Sequence, residues 1–247
     1  MTLLSDQADD IRALVGSADP GAVWAVGGPD GVHAASHATD DAVFDVGGLT
    51  AVLALWPALG SLVEEGALRL HTPLAAYGEE AAAGTPVGTT AHHLLTHADG
   101  TAALTRLAEH LSDSSLAELA ATRVWHPLGM IRTRYADGVL HAPLADLVRF
   151  LSHLLAPADT DGPTGITSAW TAESLRIRTG ELTPARGLLW HQAPHGVWAY
   201  PAPAAATGPA LWVSPGRRRW AVLLPTLPPG RHTTLRTAFR DAAFALP

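Results

Sequence analysis

His93 and His97 stand four residues apart. On a helix that spacing puts both imidazoles on one face, where they could hold a metal with Asp99 nearby as a third ligand. The plainer reading is a pair of structural histidines. His33 and His37 share the spacing but fall on an expected strand. At about 3.3 Å per residue they sit roughly 13 Å apart, too far to chelate one ion. Asp99 falls in an expected loop, where a partly buried carboxylate could act as a general base; a solvated loop acid is the alternative. Tyr200 and His195 can both donate and accept protons. Trp190 and Trp198 flank them, so the four could line a cleft or form an aromatic cluster at a sheet edge. The missing residue types narrow the chemistry further. All 16 Lys+Arg positions are Arg, and there is no Cys. Lysine Schiff bases, Walker-type phosphate lysines, Ser-Lys pairs, thiol nucleophiles and thiolate metal sites are therefore excluded.

The elements that must position these residues can be read from patterning. The chain has 247 residues, 47% hydrophobic and 16% charged, which excludes a disordered chain. The formal net charge of −7 argues against a nucleic-acid partner. Arg217-Arg218-Arg219 reads as a solvated hairpin turn between two strands. Met1 to Asp10 lacks a basic region followed by an apolar one, so no secretory signal is expected. Val46 to Val63 is uncharged but broken by Gly47, Gly48, Pro57 and Gly60, which reads as a buried helix and not a membrane span. A cytoplasmic location without membrane contact is expected. Helices are expected at 3–16, 50–65 ending at Gly66, 100–122 (one or two), 143–155 and 232–246. Strands are expected at 21–27, 32–39, 187–191, 210–213 and 220–224, and a loop at 157–170. Strands at both ends and helices between them predict an α+β fold. One domain is expected over 1–247, its sheet drawn from about 1–45 and 185–247 and its helical part from about 46–184.

Several segments, in chain order, resemble the serine β-lactamase and penicillin-binding-protein superfamily, in its class C β-lactamase, DD-peptidase and esterase branch. Phe44-Asp-Val-Gly-Gly-Leu-Thr-Ala51 is similar to the family's Phe-x-x-x-Ser-x-Thr-Lys. Leu62-Val-Glu-Glu-Gly-Ala-Leu-Arg-Leu70 resembles Leu-Val-Glu-Glu-Gly-Lys-Leu-Asp-Leu. His93-Leu-Leu-Thr-His97 resembles His-Leu-Leu-Thr-His, and Pro127-Leu-Gly-Met130 with Thr133 resembles Pro-Leu-Gly-Met-x-x-Thr. Ala145-Asp-Leu-Val-Arg-Phe-Leu151 and Thr207-Gly-Pro-Ala-Leu-Trp-Val-Ser-Pro215 follow in the same order. The resemblance implies a reduced β-lactamase-like fold, an antiparallel sheet from both termini with a shortened helical region. It also implies that His93 and His97 are structural and hold no metal.

The same resemblance shows what is lost. The family's Ser attacks a carbonyl, and a Lys three residues on takes part in proton transfer. Those positions read Gly48 and Ala51; counting back from Leu62-Val-Glu-Glu moves the pair to Leu49 and Val52, unless a bulge near Pro57 absorbs the extra residue. The second motif, Tyr-x-Asn or Tyr-x-Ser, is deleted between His97 and Pro127. The third, Lys-Thr-Gly or His-x-Gly, reads Pro203-Ala204-Ala205. The Ser-Lys mechanism is therefore excluded. Gly48 and Ala51 in place of Ser and Lys widen the pocket floor and make it less polar, which suits a small, largely apolar substrate.

Three functions are expected, in this order. The first is a non-hydrolytic enzyme, a cyclase, dehydratase or isomerase in bacterial natural-product biosynthesis. Asp99, Tyr200 and His195 would be its proton-transfer groups, and Gly48, Ala51, Trp190, Trp198 and Ala204 would line its pocket. The second is a catalytically dead ligand-binding or regulatory protein, and the third a residual hydrolase using another Ser. No cofactor and no metal are expected, and the oligomeric state is left open.

Overall fold

The computed structural model describes residues 2–37, 42–97, 100–156, 166–201, 208–226 and 232–245. Asp99 and Ala204 lie outside the described residues. The elements run α1 (Thr2–Ala18), β1 (Val23–Gly28), β2 (Gly31–Ala35), β3 (Phe44–Asp45), α2 (Trp56–Glu64), α3 (Glu79–Ala82), α4 (Ala91–Thr96), α5 (Thr101–Ser112) and α6 (Leu116–Ala120). They continue with β4 (Arg134–Ala136), β5 (Val139–Ala142), α7 (Leu144–Leu155), α8 (Ser168–Ser174), β6 (His191–Ala193), β7 (Val197–Tyr200), β8 (Ala210–Ser214), β9 (Arg219–Leu224) and α9 (His232–Ala243). The main sheet is antiparallel, in the order β2-β1-β9-β8-β7-β6. Both ends of the chain thus build it, and β1 pairs with β9 from Val23↔Leu224 to Gly27↔Trp220.

Strand alternation sorts the core into two layers. On one face Val23, Ala25, Leu211, Val213, Trp220 and Val222 join the large cluster shared with α2, α5 and α7. On the other, Trp24, Val26, Trp212 and Leu223 pack against Ile11 and Val15 of α1 and Leu235 and Phe239 of α9. Helices therefore cover both faces. Arg217 and Arg218 form the expected turn between β8 and β9, with Arg218 left-handed at φ 50°.

Three details differ from the sequence reading. A second sheet, β3-β5-β4, lies within the helical part. Its strands of two to four residues are too short for an alternation signal. The expected strand at 187–191 is instead a tight turn that leads into β6. Gly187 N donates to Trp190 O, while Leu188 N and Leu189 N donate to Ser174 O and Leu95 O in the helical layer. A side chain at Gly187 would meet the Ser174 carbonyl at 2.0 Å, so this close approach requires glycine. Finally, α8 begins inside the stretch read as loop, where the Thr167 hydroxyl accepts from Trp170 N at 3.0 Å as an N-cap.

Candidate active-site cleft

The segment that resembles the Ser-Lys helix is anchored at its start. Val46 N donates to Leu140 O at 2.8 Å, and the Asp45 carboxylate accepts from Gly47 N at 2.8 Å. A 3₁₀ turn follows at Gly47–Leu49, then a π-helical turn at Ala51–Leu55, then α2. The π turn inserts one extra residue into the helix immediately before Pro57. Pro57 has no N–H for the carbonyl four residues back. That carbonyl, of Leu53, accepts from Trp125 Nε1 at 2.9 Å instead. The π turn explains the two competing registers: the extra residue sits there, so Gly48 and Ala51 face the cleft while Leu49 and Val52 are fully buried.

The cleft encloses about 320 Å³, lined by Gly47, Gly48, Thr50, Ala51, Leu55, Thr101, Ala102, Thr105 and Tyr200. Gly48 opens onto it, since a Cβ there would meet no atom within 4 Å. Among the described lining residues there is no charged side chain; the polar groups are the hydroxyls of Thr50, Thr101, Thr105 and Tyr200. Thr50 also interacts with the Tyr135 phenol, whose pKa burial pushes up. Tyr200, at the end of β7, is likewise pushed up by burial, so it is a neutral phenol at neutral pH.

Of the residues expected at the site, the structure brings Gly48, Ala51 and Tyr200 together. Asp99 and Ala204 lie outside the described residues. His195 does not join them. It is exposed and left-handed (φ 65°) in the β6–β7 turn, beside a cavity of about 150 Å³ formed with Arg217, Arg240, Asp241 and Phe244. At about 3.3 Å per residue, β7 separates it from Tyr200 by roughly 10 Å or more. Trp190 and Trp198 do not line the cleft either. Both are buried in the core, where Trp190 meets Trp56 edge-on at 5.8 Å. Their apolar bodies are worth more packed than exposed.

The ring of His93 on α4 stacks at 4.2 Å on that of His97, the extended residue that ends the helix. His97 Nδ1 lies 3.0 Å from both the His93 carbonyl and the Thr96 hydroxyl. Among the described residues no group of His, Cys, Asp or Glu could hold a metal, and no helix is long and apolar enough to cross a membrane.

The sequence reading missed Thr101 and Thr105. Their four-residue spacing just after Gly100 was the available signal. It also missed His191, whose ring lies 6.3 Å from that of Tyr200.

No family model matches this sequence, and no curated protein matches it. Solved structures do. A β-lactamase from Mycobacterium bovis is 24% identical with a TM-score of 0.76, covering 95% of this chain and 98% of its own. EstCE1, a hydrolase with promiscuous acyltransferase activity, is 12% identical with a TM-score of 0.74 over 98% of both chains. The D-alanine carboxypeptidase AmpC from Burkholderia cenocepacia is 16% identical with a TM-score of 0.68, covering 95% of this chain and 99% of its own. At such identities the likeness speaks for the fold alone. The chain therefore has the fold of the serine β-lactamase and penicillin-binding-protein superfamily.

Proposed function

We propose that this chain is a pseudo-hydrolase that holds a small, largely apolar molecule in the cleft beside Gly48. The observation that carries the reading is the pairing of Gly48 and Ala51 on the wall of an open cleft, in a chain without lysine. A nucleophile needs an adjacent base or a lowered pKa. The described lining supplies threonine hydroxyls and one neutral phenol, and neither base nor cation. A cleft of this volume and composition is at the small end of ligand pockets. Because Gly48 opens onto free space, Gly48→Phe would fill the cleft from within. Apolar fragments detected by ligand-observed NMR should bind the wild type and lose binding in Gly48→Phe. Binding indifferent to that substitution, or none at all, would overturn the reading.

One observation favours a second reading, a cyclase-, dehydratase- or isomerase-type step in natural-product biosynthesis. Tyr200 is a neutral phenol in the cleft wall, able to donate a proton to a bound molecule. With His195 at the far turn, Tyr200 is the one expected proton-transfer group lining the cleft among the described residues, which supports binding ahead of catalysis. On the second reading Tyr200→Phe abolishes product formation while leaving fragment affinity intact. Unchanged turnover in that variant would rule Tyr200 out.

A further inference from the structure

A second cavity, of about 570 Å³, is larger than the cleft and shares no lining residue with it. Its first wall is β2, the edge strand of the main sheet. The register of β1 on β2 runs Ala25↔Ala35, Val26↔Ala34, Gly27↔Val32, so His33 is an extra residue in β2. That bulge turns Val32 and Ala35 to one face although they stand three residues apart. It is the face of Ala25, which belongs to the core layer shared with α2, α5 and α7. Such a face is covered elsewhere in the sheet, yet Val32 is half exposed. The reason is that α7 packs across β1, β9 and β8, and β2 lies beyond them at the edge.

The second wall is α7 itself. Leu144 and Val148, four residues apart on one side of the helix, line the cavity, and Ile131, 77% exposed, adds to the apolar lining. The recess reaches as deep as the fully buried Ala25. Its volume lies within the range of small-molecule sites.

The charged groups of the described lining are Arg132, Asp146 and Arg149. Asp146 is 1% exposed. Its carboxylate accepts from Arg132 N at 3.1 Å, the Thr133 hydroxyl at 2.9 Å and Arg149 Nη1 at 2.8 Å. Arg149 gives Asp146 that one N–H, and its side chain is half exposed. A guanidinium carries five N–H donors in a planar fork, so the others remain for a ligand. The carboxylate is turned inward and the guanidinium outward, so the cavity presents positive charge beside its apolar walls, in a chain of net charge −7.

We propose that this cavity is a second ligand site, which takes a free medium-chain carboxylic acid. The apolar chain lies between β2 and α7, and the carboxylate meets Arg149. The planar fork of a guanidinium matches the two oxygens of a carboxylate. A recess that reaches Ala25 admits a single chain, whereas a lipid surface would meet only the exposed Val32 and Ile131. The site does not depend on the reading of the cleft beside Gly48.

The test titrates octanoate and its neutral amide, octanamide, into the full chain at pH 7, with the isoleucine methyl groups followed by NMR. The Ile131 methyls should move with octanoate. Those of Ile177, half exposed but outside the cavity, should not. Octanoate should bind at least about tenfold tighter than octanamide, as a charge-assisted contact provides. Arg149→Gln keeps a donor for Asp146 and should remove that preference. Ala35→Phe fills the cavity from the strand and should abolish the Ile131 shift, while Gly48→Phe should leave it in place. An unmoved Ile131, equal movement at Ile177, equal affinity for acid and amide, or a shift that survives Ala35→Phe would each overturn the inference. A shift lost in Gly48→Phe would overturn it too, by assigning octanoate to the cleft. Should Arg149→Gln or Ala35→Phe fail to fold, the wild-type comparison of acid with amide at the two isoleucines still decides. An Ile131 shift that follows protein concentration without octanoate, with a doubled sedimenting mass, would give the cavity to a second copy of the chain and reject the acid.

Discussion

At the scale of single residues, the decisive facts are small side chains where chemistry would need large ones. Gly48 has an ordinary backbone conformation and open space at its Cβ. Gly48→Ser should therefore fold with a stability change within about 0.5 kcal/mol, the usual range for substitutions that touch nothing. Thermal unfolding checks this; a loss of several kcal/mol would mean the cleft is closed in solution. His191 makes an opposite kind of statement. Its folded pKa, about 4, lies below the ordinary value of 6.5. Between those values the unfolded chain binds a proton that the folded chain refuses. Stability is then fully present above about pH 6.5 and falls as pH drops toward 4. Allowing for the partial exposure of the ring, the loss is on the order of 2 kcal/mol. Denaturant unfolding at pH 7 and pH 4.5 should show a drop that His191→Phe reduces. An equal drop in both proteins would assign the acid sensitivity elsewhere. The sequence made Gly48 and Ala51 legible because a family pattern fixes their positions. It did not reveal His191, whose importance comes from burial and from Arg186 across a turn.

At the scale of elements, the helix that carries Gly48 depends on a bond outside itself. Pro57 leaves the Leu53 carbonyl to Trp125 Nε1, and Trp125 is 2% exposed. Trp125→Phe keeps an aromatic ring but removes the donor. It should cost about 1–3 kcal/mol, the price of an unpaired buried carbonyl, measured by chemical denaturation. Pro57→Ala in that background restores an N–H within the helix and should recover part of the loss. A purely additive double variant would show that Pro57 and Trp125 act independently. The π turn shows how far pattern reading reaches at this scale. An extra residue near Pro57 could be suspected from spacing, but its form is set by Trp125 on another element. Long periodic elements such as α7 were legible to within a residue. The short strands β3, β4 and β5 were not, because two to four residues carry no period. His195 and Tyr200 looked equivalent in sequence, yet a four-residue strand carries them to opposite ends of the sheet.

At the scale of the whole molecule, the sheet drawn from both termini carries one wall of the cleft, the end of β7. Beside that end of β7, the segment from Gly47 to Leu55 and the first turn of α5 complete the lining. Asp19, buried after α1, fastens the ends together by accepting from the Thr226 backbone N–H at 2.8 Å and its hydroxyl at 2.6 Å. This order of strands, helices and strands was visible in the sequence because it follows from where apolar periodicity changes along the chain. What the cleft holds was not visible, since no side chain there names its ligand. The molecule thus has a β-lactamase-like fold around a cleft lined by Gly48 and Ala51, in a chain without lysine. The most direct measurement is the intact mass of the protein after prolonged incubation with a penicillin and, separately, with a fluorophosphonate. Retention of the unmodified mass with both reagents is the expected result. A stoichiometric covalent adduct on any hydroxyl of the cleft would contradict it and return the protein to the hydrolases.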